Sequence, residues 1–190
     1  MDCVILAAGK GTRMKSSRPK VLHEIGGKSL IEHLLESIVP LELNRIITVI
    51  GHKENLIREY LSDWDVEFAV QENQRGTAHA LQRAKEEIES DAFLVVPGDI
   101  PLVQTSSLNS FIEFSIDKQA LLCLLTVNRD DPTGYGRIKR TEEGRIVEIV
   151  EESDATEAEK GIQEINTGIY LMVNRYELWK EVDSIGKENA

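Results

Sequence analysis

The sequence predicts an α/β fold, in which a mostly parallel sheet flanked by helices is followed by a smaller β-rich part. In the first half of the chain, short apolar runs alternate with amphipathic stretches, as strands and helices do in a parallel sheet. After the Asp-Asp-Pro-Thr-Gly segment at residues 130–134, shorter strand-like runs with turn residues between them take over. No internal repeat or low-complexity linker divides the chain, so we expect a single domain.

The elements of the first half follow from the spacing of apolar residues. Strands are predicted for short apolar runs, and helices where apolar residues recur every three or four positions. Thr77 is expected to cap the third helix, and Thr105 or Ser106 the fourth. The predicted strands cover residues 4–7, 46–50, 66–70, 93–96 and 121–127, and the helices cover residues 29–39, 54–61, 77–88 and a stretch that turns Leu108, Phe111, Ile112 and Ile116 inward.

A β-hairpin is predicted in the second half, with strands at residues 136–141 and 146–151 around a Glu143-Gly144 turn. The acidic residues 153–159 are expected to form a loop or a brief helix. A strand at residues 164–173 and a helix at residues 176–182 follow.

The composition argues against several classes of protein. The 190 residues are 41% hydrophobic and carry a net charge of −11, which disfavours a nucleic-acid or membrane partner. No apolar run approaches the ~20 residues of a membrane helix or fits a signal sequence, so we expect a cytoplasmic protein. Cys3 and Cys123 lie in apolar runs and are expected to be buried free thiols.

A glycine-bearing loop after the first strand is the strongest local signal. Small residues let the backbone approach a base or ribose, and glycines let successive N–H groups turn toward phosphate oxygens. An arginine can bind two phosphate oxygens at once, and a lysine adds a second cation. The pattern favours a triphosphate site, although an ordinary glycine turn would look similar. The residues concerned are Leu6, Ala7, Ala8, Gly9, Arg13 and Lys20.

Two common nucleotide motifs are absent. The dinucleotide fingerprint G-x-G-x-x-G would need a glycine where the chain has Met14. Gly27-Lys28-Ser29 resembles the end of a Walker A motif, but the first glycine of that motif is replaced by Leu22. Neither a Rossmann dehydrogenase nor a P-loop NTPase is therefore supported.

Asp99 follows a buried strand and lies between a glycine and a proline turn. A carboxylate at a strand end suits Mg²⁺, which takes few protein ligands and is otherwise bound by phosphate and water. Ligands of parallel sheets bind beyond the carboxyl ends of the strands, where Asp99 and the Gly9 loop both fall. The alternative for Asp99 alone is a cap for the next turn.

Polar residues after the third strand can pair with the edge of a pyrimidine base, or can simply lead into a helix. They are Gln71, Gln74, Gly76 and Thr77.

In the second half, glycine, carboxylate and amide groups suit sugar hydroxyls and an N-acetyl group, although each signal is weak. They are Gly136, Glu151 and Asn166. The four histidines show no nucleophile–base arrangement and are expected to be packing or surface residues: His23, His33, His52 and His79.

Together the motifs resemble the uridylyltransferase domain of the bacterial GlmU family, bifunctional N-acetylglucosamine-1-phosphate uridylyltransferases and glucosamine-1-phosphate acetyltransferases. They occur in the family's order across essentially the whole chain. The first is shared with many sugar nucleotidyltransferases, whereas PKVLH and the DDPTGYGRI–QEINTG pair are more specific. The motifs are LAAGKGTRM at 6–14, PKVLH at 19–23, QENQRGTAHA at 71–80, GDIPL at 98–102, DDPTGYGRI at 130–138, IVEESDAT at 149–156 and IQEINTGIY at 162–170.

The resemblance implies a Rossmann-like nucleotidyltransferase sheet, with residues 1–128 binding nucleotide and residues 129–190 forming an incomplete sugar-binding half. It implies Mg²⁺-assisted transfer of UMP from UTP to N-acetylglucosamine 1-phosphate, giving UDP-N-acetylglucosamine. The implied roles are nucleotide binding for Leu6, Ala7, Ala8, Gly9, Gln71, Gln74, Gly76, Thr77 and Gly98, catalysis for Arg13, Lys20 and the metal ligand Asp99, and sugar binding for Gly136, Glu151 and Asn166.

The chain departs from the family pattern in two places. Pro97 stands where family members often carry a tyrosine. The chain also ends before a Q-G-E-Y-Y-L-T-D-like segment, a later asparagine that would be the second metal ligand, and the hexapeptide repeats of the acetyltransferase domain. We therefore expect a truncated, monomeric piece of a trimeric protein, with acetyl transfer belonging to the longer chain.

Three alternatives stay open at this point. The chain could use a thymidine, guanosine or cytidine triphosphate, it could bind nucleotide sugars without turnover, or it could be an unrelated α/β oxidoreductase.

Overall fold

The computed structural model describes residues 1–11, 14–118 and 120–185. These residues form two compact units. Of these residues, the first unit holds those up to Cys123 and residues 171–185, and the second unit is Leu124–Tyr170. The sequence places everything after residue 128 in the smaller half, whereas in the structure the C-terminal segment returns to the first unit.

The described elements follow the predicted alternation of strands and helices. In chain order they are β1 (Asp2–Leu6), β2 (Glu24–Ile25), β3 (Lys28–Ser29), α1 (Leu30–Ile38), β4 (Arg45–Ile50), α2 (Glu54–Tyr60), β5 (Glu67–Val70), α3 (Thr77–Ala84), β6 (Ala92–Pro97), α4 (Thr105–Lys118), β7 (Leu122–Asn128), β8 (Arg137–Arg140), β9 (Ile146–Val150), α5 (Glu157–Lys160), β10 (Glu164–Val173) and α6 (Tyr176–Ser184).

Four parallel strands form the centre of the first unit in the order β5-β4-β1-β6. Leu6 at the end of β1 pairs with Val49 of β4 on one side and with Pro97 of β6 on the other. Ile50 of β4 pairs with Val70 of β5. The four strands therefore end at one edge, which confirms the predicted parallel sheet. The segments that begin at this edge are residues 7–9, 51, 71 and 98–99.

Apolar strands and an amphipathic helix build the core of this unit. Residues 3–5 and 93–96 are buried, as expected for strands covered on both faces. Helix α1 begins after Ser29, whose hydroxyl accepts a hydrogen bond from Glu32 N at 3.1 Å, and it buries one apolar face. Within the described ranges, no helix combines the length and apolarity needed to cross a membrane.

The predicted helix caps at Thr77 and at Thr105 or Ser106 are wrong. Gly76 occupies the cap position of α3 and provides no side-chain bond, so Thr77 is already the first helical residue. Thr105 is likewise inside α4, where its hydroxyl donates to the Ser37 carbonyl at 2.8 Å. Helix α3 also ends at Ala84 and continues as a short 3-10 turn instead of running to residue 88.

The expected inward positions of Ile116 and Cys123 are wrong as well. Ile116 is 57% exposed, because the buried stripe of α4 follows Leu108, Phe111 and Ser115. Ser115 tolerates burial since its hydroxyl donates to the Phe111 carbonyl at 2.6 Å. Both cysteines are free thiols, but Cys123 is only half-buried.

A small hairpin joins β2 and β3 and was not predicted. Its two turn residues, Gly26 and Gly27, have φ of 62° and 87°. Two successive positive φ values define a type I′ turn, which suits antiparallel strands. Gly27, considered above as part of a Walker A motif, is thus a hairpin turn residue.

The second unit contains the predicted hairpin. Strands β8 and β9 pair antiparallel, and β10 pairs with both β8 and β7. Gly144 turns the hairpin with φ of 82°. The acidic segment forms the short helix α5, which begins with a capping box between Thr156 and Glu159.

Candidate active site

A cavity of about 340 Å³ opens at the carboxyl edge of β1 and β6, within the first unit. This volume lies in the range of ordinary ligand pockets. The ammonium of Lys20 pairs with the carboxylate of Asp99 in its wall. The cavity is lined by Leu6, Ala7, Gly9, Gly11, Met14, Lys20, Val21 and Asp99.

The loop after β1 leaves space for a ligand at one glycine and closes tightly at another. A Cβ at Gly9 would meet no atom within 4 Å, so the backbone here is open. Gly11 has φ of 57°, and a Cβ there would lie 2.8 Å from Lys20 Cβ. Gly11 therefore lets the loop fold back against Lys20. Arg13 lies outside the described residues, so its phosphate contact stays a prediction.

A short 3-10 turn, Lys20–Leu22, presents the Lys20 side chain to the cavity. Val21 and Leu22 are buried and anchor this turn, while Lys20 remains partly exposed. A Cβ at Gly98 would lie 3.1 Å from Val21 Cγ1 and 3.1 Å from Leu6 O. Gly98 thus acts as a close-packing residue between β1 and the turn, and it donates its N–H to Leu6 O at 2.9 Å.

The environment of Asp99 fits a magnesium ligand. Its carboxylate already holds a cation, the Lys20 ammonium, at the mouth of a polar cavity. Within the described part of the chain, no group of three or more His, Cys, Asp or Glu side chains could hold a metal ion. A single carboxylate nevertheless suits Mg²⁺, which takes much of its coordination from phosphate and water.

Gln71 follows β5 at the same sheet edge and is only 3% exposed. Its Nε2 donates to the Gly76 carbonyl at 3.1 Å and contacts His79 Nδ1 at 2.9 Å. Burial lowers the pKa of His79, and the positive charges of Arg75 and Arg83 lower it further. The histidine therefore favours its neutral form and can accept a hydrogen bond.

Gly51 packs against three of the predicted site residues and was not itself predicted. A Cβ at this position would lie 2.6 Å from Gln71 O, 2.8 Å from Gln74 Nε2 and 3.2 Å from Ala8 Cβ. Gln74 Nε2 in turn donates to Gln71 O at 3.0 Å. Only glycine fits among these groups. A glycine directly after an apolar strand was the available signal.

The three predicted sugar-binding residues meet within the second unit. Gly136 O accepts a hydrogen bond from Asn166 N at 2.8 Å, and a Cβ at Gly136 would lie 3.2 Å from Glu151 Oε1. Asn166 Nδ2 also contacts the hydroxyl of Tyr170 at 3.0 Å. Burial raises the pKa of Tyr170, so the hydroxyl stays protonated. Tyr170 was not predicted, although it ends the INTGIY motif.

A buried arginine supports the loop that carries Gly136. Arg137 is 1% exposed, and its guanidinium donates to Glu152 Oε2 at 2.6 Å and to the Tyr135 carbonyl. Glu152 also accepts from Gly134 N at 3.0 Å. These hydrogen bonds lower the pKa of Glu152, and the bond from Gly134 N has the largest effect. The Glu152 carboxylate therefore holds Gly134, where the loop begins, and Arg137, directly after Gly136.

The structure groups most predicted site residues, in two separate sets. The first unit brings the glycine loop, Lys20, Gly98 and Asp99 around one cavity, with Gln71, Gln74 and Gly76 at the same sheet edge. The second unit holds the other set. For Thr77 the structure gives only its place in the first turn of α3.

Comparison with known proteins gives a family and several relatives. The model of the MobA-like NTP transferase domain matches residues 3–162. "Bifunctional protein GlmU" from Streptococcus thermophilus is 43% identical over 189 residues, covering 98% of this chain and 41% of that protein. A protein of the same name from Pseudomonas putida is 48% identical over 172 residues, covering 90% of this chain and 37% of that protein. The chain thus spans about two fifths of the length of these relatives.

A solved structure supports the fold. HddC from Yersinia pseudotuberculosis superposes with a TM-score of 0.78 at 28% identity, covering 98% of this chain and 80% of that chain. The GlmU resemblance predicted from the motifs is confirmed by the sequence identities. The chain belongs to the family of MobA-like NTP transferase domains.

Proposed function

We propose that this chain transfers UMP from UTP to N-acetylglucosamine 1-phosphate, giving UDP-N-acetylglucosamine and pyrophosphate. The observation that carries the proposal is the Lys20–Asp99 pair in an open cavity at the end of β1 and β6. A cation and a metal-binding carboxylate side by side suit a triphosphate. The choice of UTP and of this sugar rests on the likeness to proteins named GlmU.

The reaction is a direct in-line displacement. A phosphate oxygen of the sugar phosphate forms a bond to the α-phosphorus of UTP, and the bond from that phosphorus to the bridging β-phosphate oxygen breaks. The electron pair of the broken bond leaves with pyrophosphate. No protein nucleophile is required, so the chain contributes positioning and charge neutralisation.

Lys20 and Asp99 would stabilise the phosphate charge in different ways. Mg²⁺ bound by Asp99 would supply positive charge to the phosphates. The Lys20 ammonium, released from Asp99, would bind a phosphate oxygen and neutralise charge that grows in the transition state. Arg13 would add a two-pronged contact from the same loop. Leu6, Ala7, Ala8 and Gly9 would lie along the nucleotide, where Gly9 leaves the backbone open.

Base and sugar are assigned to separate groups. Gln71, with Gln74, Gly76 and Thr77 around it, would contact the uracil edge. Gly136, Glu151 and Asn166 would bind the N-acetylglucosamine part, since they offer a closely packed glycine backbone, a carboxylate and an amide within a single cluster. Acetyl transfer is not proposed for residues 1–190.

Pyrophosphate release with UTP, N-acetylglucosamine 1-phosphate and Mg²⁺ tests the proposal. We expect release from the wild-type chain and a fall of roughly 10²–10³-fold in Asp99→Asn. Asp117→Asn is the matched control, because Asp117 is an exposed residue of α4. Loss of release in both variants, or equal turnover with CTP or GTP, would contradict the proposal. If the wild type releases nothing, calorimetry with UTP separates an incomplete enzyme that still binds from a wrong site assignment.

A further inference from the structure

The orientation of the Gln71 amide is fixed by the protein. Both hydrogen bonds that the described residues make with this amide use its nitrogen, one to Gly76 O and one to His79 Nδ1. A carbonyl oxygen can only accept, so Gly76 requires the amide nitrogen on its side. His79 Nδ1 must then accept as well, which places the ring proton on Nε2. Each hydrogen of the NH₂ group has its own protein acceptor.

The fixed amide leaves an acceptor for a ligand. With both N–H groups engaged, Oε1 is the end of Gln71 that can interact with a base. An acceptor complements the N3–H of uracil or thymine, whereas N3 of cytosine is itself an acceptor. A buried polar group that meets the wrong partner discriminates strongly, because neither group is then satisfied.

We propose that His79 is a positioning residue for base selection, which holds Gln71 so that its carbonyl oxygen faces the base and selects bases with an N3–H. This inference rests on the proposed function, since it assigns the pyrimidine edge to Gln71. His79 touches Gln71 and acts on the nucleotide through that residue. His79 was predicted to be a packing or surface residue, and its contact with Gln71 indicates a different role.

The surroundings of His79 keep it an acceptor. The charged groups that act on it are Arg75, before α3, and Arg83, one turn later on α3. Both are cationic and oppose protonation of the ring, as burial does, and together these effects outweigh a hydrogen bond with the Asn73 backbone that acts in the opposite direction on the pKa of His79. A protonated ring would turn Nδ1 into a donor and conflict with the amide nitrogen. The neutral ring and the Gly76 carbonyl therefore act together on one amide.

Calorimetric titration of UTP and CTP in the presence of Mg²⁺ tests the proposal in three forms of the full chain: wild type, His79→Leu and His79→Asn. Leucine removes the acceptor, while asparagine can present its side-chain oxygen near the position of Nδ1. We expect His79→Leu to weaken UTP binding about five- to tenfold and to lower the UTP:CTP preference by a similar factor. We expect His79→Asn to keep most of that preference.

Nitrogen NMR of the wild-type chain shows which nitrogen of the His79 ring carries the proton. This measurement needs no substitution, so it tests the proposal even if His79→Leu fails to fold. The Nε2–H tautomer is expected, and an Nδ1–H tautomer would overturn the proposal. A wild-type UTP:CTP ratio in His79→Leu, or a loss in His79→Asn equal to that in His79→Leu, would also overturn it. If the wild type binds UTP no better than CTP, the proposed function itself fails; if only the variants disagree, the role of His79 alone fails.

Discussion

Gly51→Ala should disturb the carboxyl edge of the sheet, where the proposed nucleotide site lies, through steric contacts alone. Gly51 lies outside the left-handed region, so alanine imposes no backbone strain of its own. The added Cβ would, however, lie 2.6 Å from Gln71 O and 2.8 Å from Gln74 Nε2. The Gln74 side chain can rotate away, but Gln71 O is backbone, held at the end of β5 by Gln71 N donating to Ile50 O at 2.7 Å.

The size of the effect follows from these distances. Gln71 must withdraw by roughly 0.5–1 Å to reach an ordinary carbon–oxygen separation. Overpacking of this kind costs about 1–3 kcal/mol, which lowers the melting temperature by roughly 2–4 °C per kcal/mol in a chain of this size. A displacement approaching 1 Å also costs up to ~10²-fold in productive positioning. We expect UTP affinity to fall by about tenfold.

Thermal unfolding and UTP calorimetry measure the two parts of this prediction. Gly9→Ala is the matched control for stability, because a Cβ at Gly9 meets nothing within 4 Å. The control should keep the melting temperature of the wild type. Gly51→Ala with wild-type melting and wild-type UTP affinity would refute the reasoning, since the backbone would then have moved at no cost.

Three further predictions concern other parts of the chain. Burial raises the pKa of Asp2, but hydrogen bonds from the Ser90 N–H and hydroxyl outweigh it and leave the pKa below its usual value. The stability that these hydrogen bonds supply is present above pH ~4 and is lost as the pH falls through the lowered pKa. The free energy of unfolding of Asp2→Asn, measured in urea, should therefore depend less on pH below ~4 than that of the wild type. Glu152→Ala should lower the free energy of unfolding more than Arg137→Met does, because it leaves a buried guanidinium uncompensated. Equal losses measured by urea unfolding would contradict this. Burial raises the pKa of the Cys3 thiol, so Cys3 should resist thiol reagents until the chain unfolds, and fast labelling of Cys3 in the native state would contradict its burial.

The location of the first site could be predicted from the sequence for a simple reason. In a parallel sheet every strand finishes at the same edge, so residues that follow strands come together whatever the strand order is. Asp99 after β6 and the loop after β1 could therefore be placed at one edge without knowing the strand order. The contact between Gly51 and Gln71 could not be predicted in this way, because it depends on β4 and β5 being neighbours.

Other features depend on packing that hydrophobic spacing does not encode. Ile112 and Ile116 continue the spacing of Leu108, yet α4 turns Ser115 inward instead, since a serine can satisfy its own hydroxyl on the helix. The residue types at positions 136, 151 and 166 indicated sugar binding only weakly and no spacing rule joins them, so the predicted sugar-binding set rested mainly on the family resemblance. Their meeting in the structure depends on the pairing of β8 with β9 and β10.

The discontinuity of the first unit bears on the order of folding during synthesis. Helix α6 completes that unit: Trp179 stacks on Phe93 with ring centroids 5.8 Å apart, and Gln82 Nε2 donates to Val182 O at 3.1 Å. These contacts join residues about 85 to 100 positions apart, across the whole of the second unit. The second unit is continuous in sequence and can form its local contacts first, while Phe93 still lacks its stacking partner. A ribosome-bound chain ending near residue 170 would therefore expose the apolar surface that α6 covers in the finished protein.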